Sequence, residues 1–99
     1  MESASYTALI ENAKQCISAR AFDAAAEHAA MALALDPSRP EAFNVLGAAS
    51  ELRGDWSKAQ GFYRAALGIA PAYKPALANL MRTASCWNKD RKIVLEDGG

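Results

Sequence analysis

The sequence is poor in the residues that build disulfide frameworks, metal sites and β-sheets. Of its 99 residues only 2 are cysteine, Cys16 and Cys86, and neither has a Cys or His neighbour at the spacing of a metal site or a redox motif. Valine, isoleucine and threonine are scarce, whereas alanine, leucine, glutamate, lysine and arginine are abundant, and this composition favours helices over strands. We therefore expect an all-α protein with two reduced thiols.

The chain also lacks a net charge and a long apolar run. Lys plus Arg and Asp plus Glu both number 11, so no overall field attracts nucleic acid, an anionic membrane or an acidic partner. No apolar stretch approaches the ~18 residues of a membrane span. The segment from Met1 to Tyr6 lacks the basic start of a signal peptide. We expect a cytoplasmic protein with no nucleic-acid partner and no membrane partner.

What the sequence does contain is an internal repeat, because it matches itself at an offset of 34 residues. The aligned pairs are Leu9 with Phe43, Phe22 with Trp56, Ala25 with Ala59, Ala32 with Ala66, Leu33 with Leu67, Leu35 with Ile69 and Pro37 with Pro71. A third copy begins in the same register at Ala76 and Leu77. The chain is therefore expected to repeat one structural unit.

Each period is predicted to form a pair of helices, because apolar residues recur three or four positions apart. Within the second period the pattern breaks at Arg53-Gly54-Asp55, where Gly54 can end one helix in the left-handed conformation and Asp55 can cap the next. Between periods, Ser38 and Glu41 have the spacing of a capping box. The pattern predicts helices over about 4–18, 22–35, 40–53, 56–69 and 74–87, and a short helical turn around Ile93-Val94-Leu95.

This pattern resembles the tetratricopeptide repeat (TPR), a 34-residue helix-turn-helix unit with large and small residues at fixed positions. The middle copy fits best, through Phe43, Leu46, Gly47, Ala59, Tyr63, Ala66 and Pro71. The small residues let two helices approach closely, and the large ones fill the space around them. The resemblance implies a TPR-type right-handed α-α superhelix.

The resemblance also implies how the chain is laid out. We expect one domain over 1–87, with repeats at about 6–39 and 40–73 and a capping helix at 74–87, followed by a charged, frayed tail at 88–99. In the capping helix, Leu77, Leu80 and Met81 are expected to cover the preceding pair while Arg82 faces outward. Because such stacks generally need about three repeats for stability, we expect marginal stability or self-association.

In TPR proteins the first helix of each pair lines a concave groove in which partner segments lie. By resemblance, and because these positions remain once the packing stripe is removed, the expected partner-binding residues are Thr7, Ile10, Lys14, Ile17, Glu41, Asn44, Val45, Ala48, Glu51, Ala78, Asn79 and Arg82. Lys14, Asn44 and Arg82 offer donors for a carboxylate or a backbone carbonyl. A merely solvated face is the alternative for any one of these positions.

Nothing in the sequence predicts catalysis. His28 is the single histidine, and no nucleophile, carboxylate pair, phosphate-binding loop or metal-ligand cluster accompanies it. We expect no enzyme, no cofactor and no metal site. The resemblance implies a protein-protein interaction module, an adaptor or chaperone-like scaffold that binds a peptide or protein segment in its groove. Structural self-association as a homodimer, or membership of a larger repeat assembly, is the alternative.

Overall fold

The computed structural model describes residues 5–84 and 93–95, and over these residues it contains five helices and no strand. The helices are α1 (Tyr6–Ser18), α2 (Phe22–Leu35), α3 (Glu41–Leu52), α4 (Trp56–Ile69) and α5 (Lys74–Ala84). The prediction of an all-α chain of successive helices is confirmed, with α1 and α3 slightly shorter than expected. The expected continuation of α5 to residue 87, and most of the expected tail, lie outside the described residues.

Each helix packs against the next one along the chain, and α1 also contacts α3. The buried core between them consists largely of alanine, at Ala13, Ala25, Ala29, Ala32, Ala42, Ala48, Ala49, Ala59, Ala66 and Ala76. Side chains this small allow neighbouring helices to approach closely. Within the described part of the chain, no helix is long and apolar enough to cross a membrane.

The turns inside the two helix pairs have a left-handed residue at the equivalent position of the repeat. Gly54 has a φ of 90°, in the left-handed region, and the Asp55 carboxylate accepts a hydrogen bond from the Lys58 N–H at 3.1 Å. Both predictions for this turn are confirmed. Arg20 aligns with Gly54 one repeat earlier and also has a positive φ, of 61°. A non-glycine residue adopts this conformation at a cost of about 1–2 kcal/mol, so the first turn is strained where the second is not.

The capping box predicted at the start of α3 is wrong. Ser38 donates from both its backbone N–H, at 3.1 Å, and its hydroxyl, at 2.6 Å, to Oδ1 of Asp36, and these bonds lower the pKa of that carboxyl. The first turn of α3 is instead capped from α1, because the Tyr6 hydroxyl accepts a hydrogen bond from the Ala42 N–H at 2.9 Å. Burial is the main cause of a raised Tyr6 pKa. The first helix thus fixes the start of the third.

Gly47 of α3 lies directly against the ring of Tyr63 of α4. A Cβ atom at Gly47 would lie 2.6 Å from Cδ1 and 2.9 Å from Cζ of Tyr63, well inside an ordinary contact of 3.4–4 Å. Tyr63 is fully buried. The prediction that this position requires a small residue, because two helices meet there, is confirmed.

The prediction for the two faces of α5 is wrong. Leu77 is 42% exposed and Met81 65% exposed, whereas Arg82 is only 8% exposed. In the repeat register Leu77 and Met81 correspond to Phe43 and Gly47, the positions of α3 that face α4. No described helix follows α5 to cover the same face, and Arg82 instead turns inward, where it pairs with a carboxylate of α3.

Candidate functional site

The predicted groove residues divide by burial rather than forming one exposed face. Thr7 and Ala78 are exposed, and Lys14, Ile17 and Glu41 are half-buried. The remaining residues are buried: Ile10, Asn44, Val45, Ala48, Glu51, Asn79 and Arg82. The prediction that these last residues are exposed is wrong. The reason lies in the packing, since α3 contacts α1, α2 and α4, and three neighbours leave little of its surface free.

Part of the predicted groove is occupied by the chain itself. Residues Ile93–Leu95, which we call the C-terminal segment, lie outside any helix, form hydrogen bonds with side chains of α3 and α5, and pack against an apolar cluster drawn from α1, α2 and α3. The expected helical turn around these residues is therefore wrong. We call the surface that contacts this segment the segment site. It consists of two asparagines and an apolar cluster.

Asn44 of α3 and Asn79 of α5 form the polar half of the segment site. Asn79 accepts a hydrogen bond from the Val94 N–H on Oδ1 at 2.7 Å, and its Nδ2 donates to the Val94 carbonyl, also at 2.7 Å. Asn44 Nδ2 donates to the same carbonyl oxygen at 2.9 Å. The two amides are themselves joined, because Asn79 Nδ2 donates to Asn44 Oδ1 at 3.0 Å. Both backbone groups of Val94 are therefore satisfied by side chains.

The apolar half of the segment site takes the next residue, Leu95. Its side chain packs against a buried cluster formed by Ala13 of α1, Ala29 of α2 and Val45 of α3. Ile17, another predicted groove residue, packs against the same cluster. The segment therefore runs from the asparagines of α3 and α5 towards α1, with one residue held through its backbone and the next through its side chain.

A buried ion pair beside the segment site positions Asn79. Arg82 Nη2 donates to Glu51 Oε1 at 2.9 Å, and Arg82 Nη1 donates to Glu51 Oε2. Arg82 Nη2 also donates to Asn79 Oδ1 at 3.2 Å. Because a guanidinium can only donate, the Asn79 atom that faces it must be the oxygen. This contact orients the carboxamide so that Oδ1 also receives the Val94 N–H and Nδ2 is directed to the Val94 carbonyl.

The ion pair is completed by Tyr63, whose hydroxyl donates to Glu51 Oε1 at 2.8 Å. Burial is the main cause of the raised Tyr63 pKa, and the adjacent Glu51 carboxylate adds to it. The hydrogen bonds to Glu51 likewise raise the pKa of Arg82. Arg82 Nε is buried and has no hydrogen-bond partner among residues 5–84 and 93–95. The expectation that Arg82 is free to meet a partner's carboxylate is wrong, because the pairing with Glu51 occupies its guanidinium.

The α1 end of the predicted groove is open. A cavity of about 150 Å³ brings together four of the predicted residues, Thr7, Ile10, Lys14 and Glu41. Lys14 is half-buried, and its ammonium group lies 3.7 Å from the carboxylate of the exposed Glu11. A larger depression of about 320 Å³ lies elsewhere, at the turn between α1 and α2. It contains none of the predicted groove residues.

The remaining residues considered for chemistry are His28, Cys16 and Cys86. His28 Nδ1 is 2.8 Å from the Ala24 carbonyl oxygen, one turn earlier in α2. Cys16 is a half-buried free thiol, and Cys86 lies outside the described residues. Across the parts of the chain that are described, no three His, Cys, Asp or Glu side chains are grouped so that they could hold a metal ion.

Sequence reasoning named Asn44, Val45 and Asn79 as groove residues, but it included neither alanine of the apolar cluster and it missed the occupant of the site. The available signal was that Ile93, Val94 and Leu95 form the one apolar run in an otherwise charged tail. Comparison of the chain with protein-family models, with curated proteins and with solved structures gives no match. The function of this chain is therefore inferred from the geometry of the segment site.

Proposed function

We propose that this chain is a TPR-type interaction module that binds an extended segment of a partner protein at the segment site. The supporting observation is the way in which the site holds Val94 and Leu95. Two buried asparagines satisfy the backbone N–H and C=O of one residue, and an apolar cluster takes the side chain of the next. Backbone hydrogen bonds combined with a pocket for a single side chain are a common way to bind extended peptides.

The TPR-type arrangement is supported by features that recur at the repeat spacing. The helices follow one another as pairs, and Arg20 and Gly54 occupy equivalent left-handed turn positions. Gly47 and Tyr63 make the close approach that the motif requires between the helices of a pair. We propose that the pairs stack as a right-handed superhelix, with the segment site on the concave side formed by α1, α3 and α5.

The chemistry of the site favours recognition. Its polar groups are neutral amides, which match the donors and acceptors of a peptide backbone. The charged groups Glu51 and Arg82 neutralise each other, and Arg82 orients the Asn79 carboxamide through a hydrogen bond to its oxygen. Lys14, a half-buried residue that lines the cavity at the α1 end, is proposed to meet a carboxylate of the partner. The proposed role is therefore that of an adaptor or scaffold which holds another protein by an unfolded or extended stretch.

Peptide display tests this function. The full-length chain, immobilised, is used to select binders from a random peptide library, and the selected peptides are then titrated against Asn79→Ala and Asn12→Ala. Asn12 is an exposed asparagine of α1, so its truncation is the matched control. With Val94→Pro added to both proteins, so that the C-terminal segment does not compete for the site, we expect Asn79→Ala to weaken binding by about 10-fold or more, because a lost hydrogen bond with a buried partner costs about 1–3 kcal/mol. Equal binding to both variants would show that the selected peptides do not bind at the segment site.

A second candidate function is self-association, favoured by the exposed face of α5. Leu77 and Met81 lie there at the register positions that in α3 pack against the following helix. A second copy that covers this face would bury both side chains. Sedimentation velocity at micromolar concentration tests this candidate. We expect a dimer that Met81→Glu disrupts, and a monomer at all concentrations would exclude it.

A further inference from the structure

The segment site is filled in this chain by residues from the same chain. Resting on the proposed function, we infer that Ile93–Leu95 is a tethered competitor that a partner must displace. The site therefore selects partners that resemble this segment: an extended stretch with a free backbone N–H at one residue and a large aliphatic side chain at the next. The interaction is thus controlled by the chain's own C-terminal segment.

The backbone contacts specify an extended conformation for any occupant. In an extended strand the N–H and C=O of one residue point to the same side and can pair with one facing residue. In a helix these groups point in opposite directions along the axis. Asn79 receives the Val94 N–H and donates to the Val94 C=O, so its carboxamide takes the place of a facing strand residue. Proline at this position in an occupant would remove the N–H.

The position of Leu95 specifies the side chain of the occupant. The cluster that receives it contains Ala13 and Ala29, fully buried, and Val45, 1% exposed. These residues carry no polar side-chain group, so a polar residue at the same place in an occupant would lose its hydration without gaining a hydrogen bond. The adjacent backbone clamp keeps the side chain in register with the cluster. Partners with leucine, isoleucine or methionine at this position are therefore favoured.

The tether makes the competition effective. Eight residues, 85–92, connect the end of α5 to Ile93, and such a length spans at most about 26–29 Å. A covalent connection of this reach gives an effective concentration on the order of 1 mM. If the segment alone binds with a Kd on the order of 0.1 mM, the tether weakens binding of an external peptide by about 10-fold. An untethered site should therefore bind the same peptide about 10 times more tightly.

The test uses the full-length chain and a fluorescein-labelled peptide with the sequence of residues 90–97, titrated by fluorescence anisotropy. In the protein, Val94→Pro removes the N–H that Asn79 accepts and so weakens the tethered segment. We expect this variant to bind the peptide about 10-fold more tightly than the wild type. The double variant that also carries Asn79→Ala should lose this gain in affinity. A peptide with proline in place of the valine should bind neither protein.

A pair of leucine variants keeps the test informative if a proline variant folds poorly. Leu95→Ala removes the apolar contact of the tethered segment, and Leu35→Ala makes the same change at a position that is 56% exposed on α2. We expect tighter peptide binding for Leu95→Ala and wild-type binding for Leu35→Ala. Circular dichroism of each variant establishes that its helices are intact.

Each outcome supports or overturns the inference. Tighter binding to Val94→Pro and Leu95→Ala supports the tethered competitor. Equal, measurable binding to the wild type and to both variants overturns it, while the proposed function survives. Absence of binding to every variant overturns both. A wild-type dimer in sedimentation that Val94→Pro lacks would also overturn it, because the segment would then occupy the site of a second copy.

Discussion

The close approach of α3 and α4 predicts opposite effects for the same substitution at two glycines. In Gly47→Ala the new Cβ would lie 2.6 Å from Cδ1 of Tyr63, so the ring must shift by about 1 Å to restore ordinary contact. Tyr63 is fully buried, and its hydroxyl donates to Glu51 at 2.8 Å, so any shift also strains that bond. In Gly61→Ala the new methyl group meets open space, with no atom within 4 Å.

The sizes of three energy terms decide whether Gly47→Ala stabilises or destabilises the fold. Overpacking costs about 1–3 kcal/mol, and a strained bond to the Glu51 carboxylate adds a further ~1 kcal/mol. The gain in helix propensity from glycine to alanine offsets about 1 kcal/mol of this cost. We expect Gly47→Ala to lower the free energy of unfolding by about 2 kcal/mol, which corresponds to a fall in Tm of about 8–16 °C for a domain of this size.

Thermal and urea unfolding followed by circular dichroism measure both variants. Gly61→Ala should be more stable than the wild type by about 0.5–1 kcal/mol, because it gains propensity without a clash. A Gly47→Ala variant as stable as Gly61→Ala would refute the reasoning. It would mean that α3 and α4 do not meet at Gly47, and the repeat register would lose its main structural support.

Three further predictions concern other sites. Arg20→Gly should raise the free energy of unfolding by up to about 1 kcal/mol in urea titrations, because glycine adopts the left-handed turn without strain. Arg82→Met should lower the free energy of unfolding by about 3–5 kcal/mol, because Glu51 is left buried without its partner. The exposed ion pair Asp23–Arg53 should contribute about 1 kcal/mol or less. The raised pKa of Tyr63 favours its neutral form in the fold, so its contribution is intact below pH 10.0 and is lost as the pH rises above it. In urea unfolding from pH 8 to 11, Tyr63 should contribute a decline of up to about 1.4 kcal/mol per pH unit above pH 10, and Tyr63→Phe should remove this part and leave the part due to Tyr6, whose pKa is also raised.

The sequence predicted the helices and the turns where the local signals are strong. Gly54 ends one helix because glycine adopts the left-handed conformation easily, and Asp55 caps the next through its own side chain. Both effects are local, so they can be predicted without knowledge of the tertiary structure. The capping box predicted at the start of α3 was wrong because the first turn is capped by Tyr6, on another helix. Ser38 had the right spacing for a capping box, but Asp36, two residues away, binds its donors instead.

The sequence predicted Asn44, Val45 and Asn79 as groove residues, but it predicted neither the two alanines of the segment site nor the burial of these side chains. Helical periodicity identifies one packing stripe, yet it does not say how many neighbours a helix has. Val45 and Ala48 were left outside the stripe of α3, and the contact of α3 with α1 and α2 buries them. Asn79 and Arg82 became buried through partners distant in sequence. Such pairing depends on the fold and leaves no periodic trace in a single sequence.

The occupancy of the segment site by Ile93–Leu95 is the claim on which the functional account depends, and methyl NMR tests it directly. In the full-length wild type, we expect nuclear Overhauser contacts between the Leu95 methyl groups and those of Ala13, Ala29 or Val45, together with slow exchange of the Val94 amide proton. The contacts should vanish in Val94→Pro. Random-coil chemical shifts for Leu95 and fast exchange of the Val94 amide in the wild type would contradict the account.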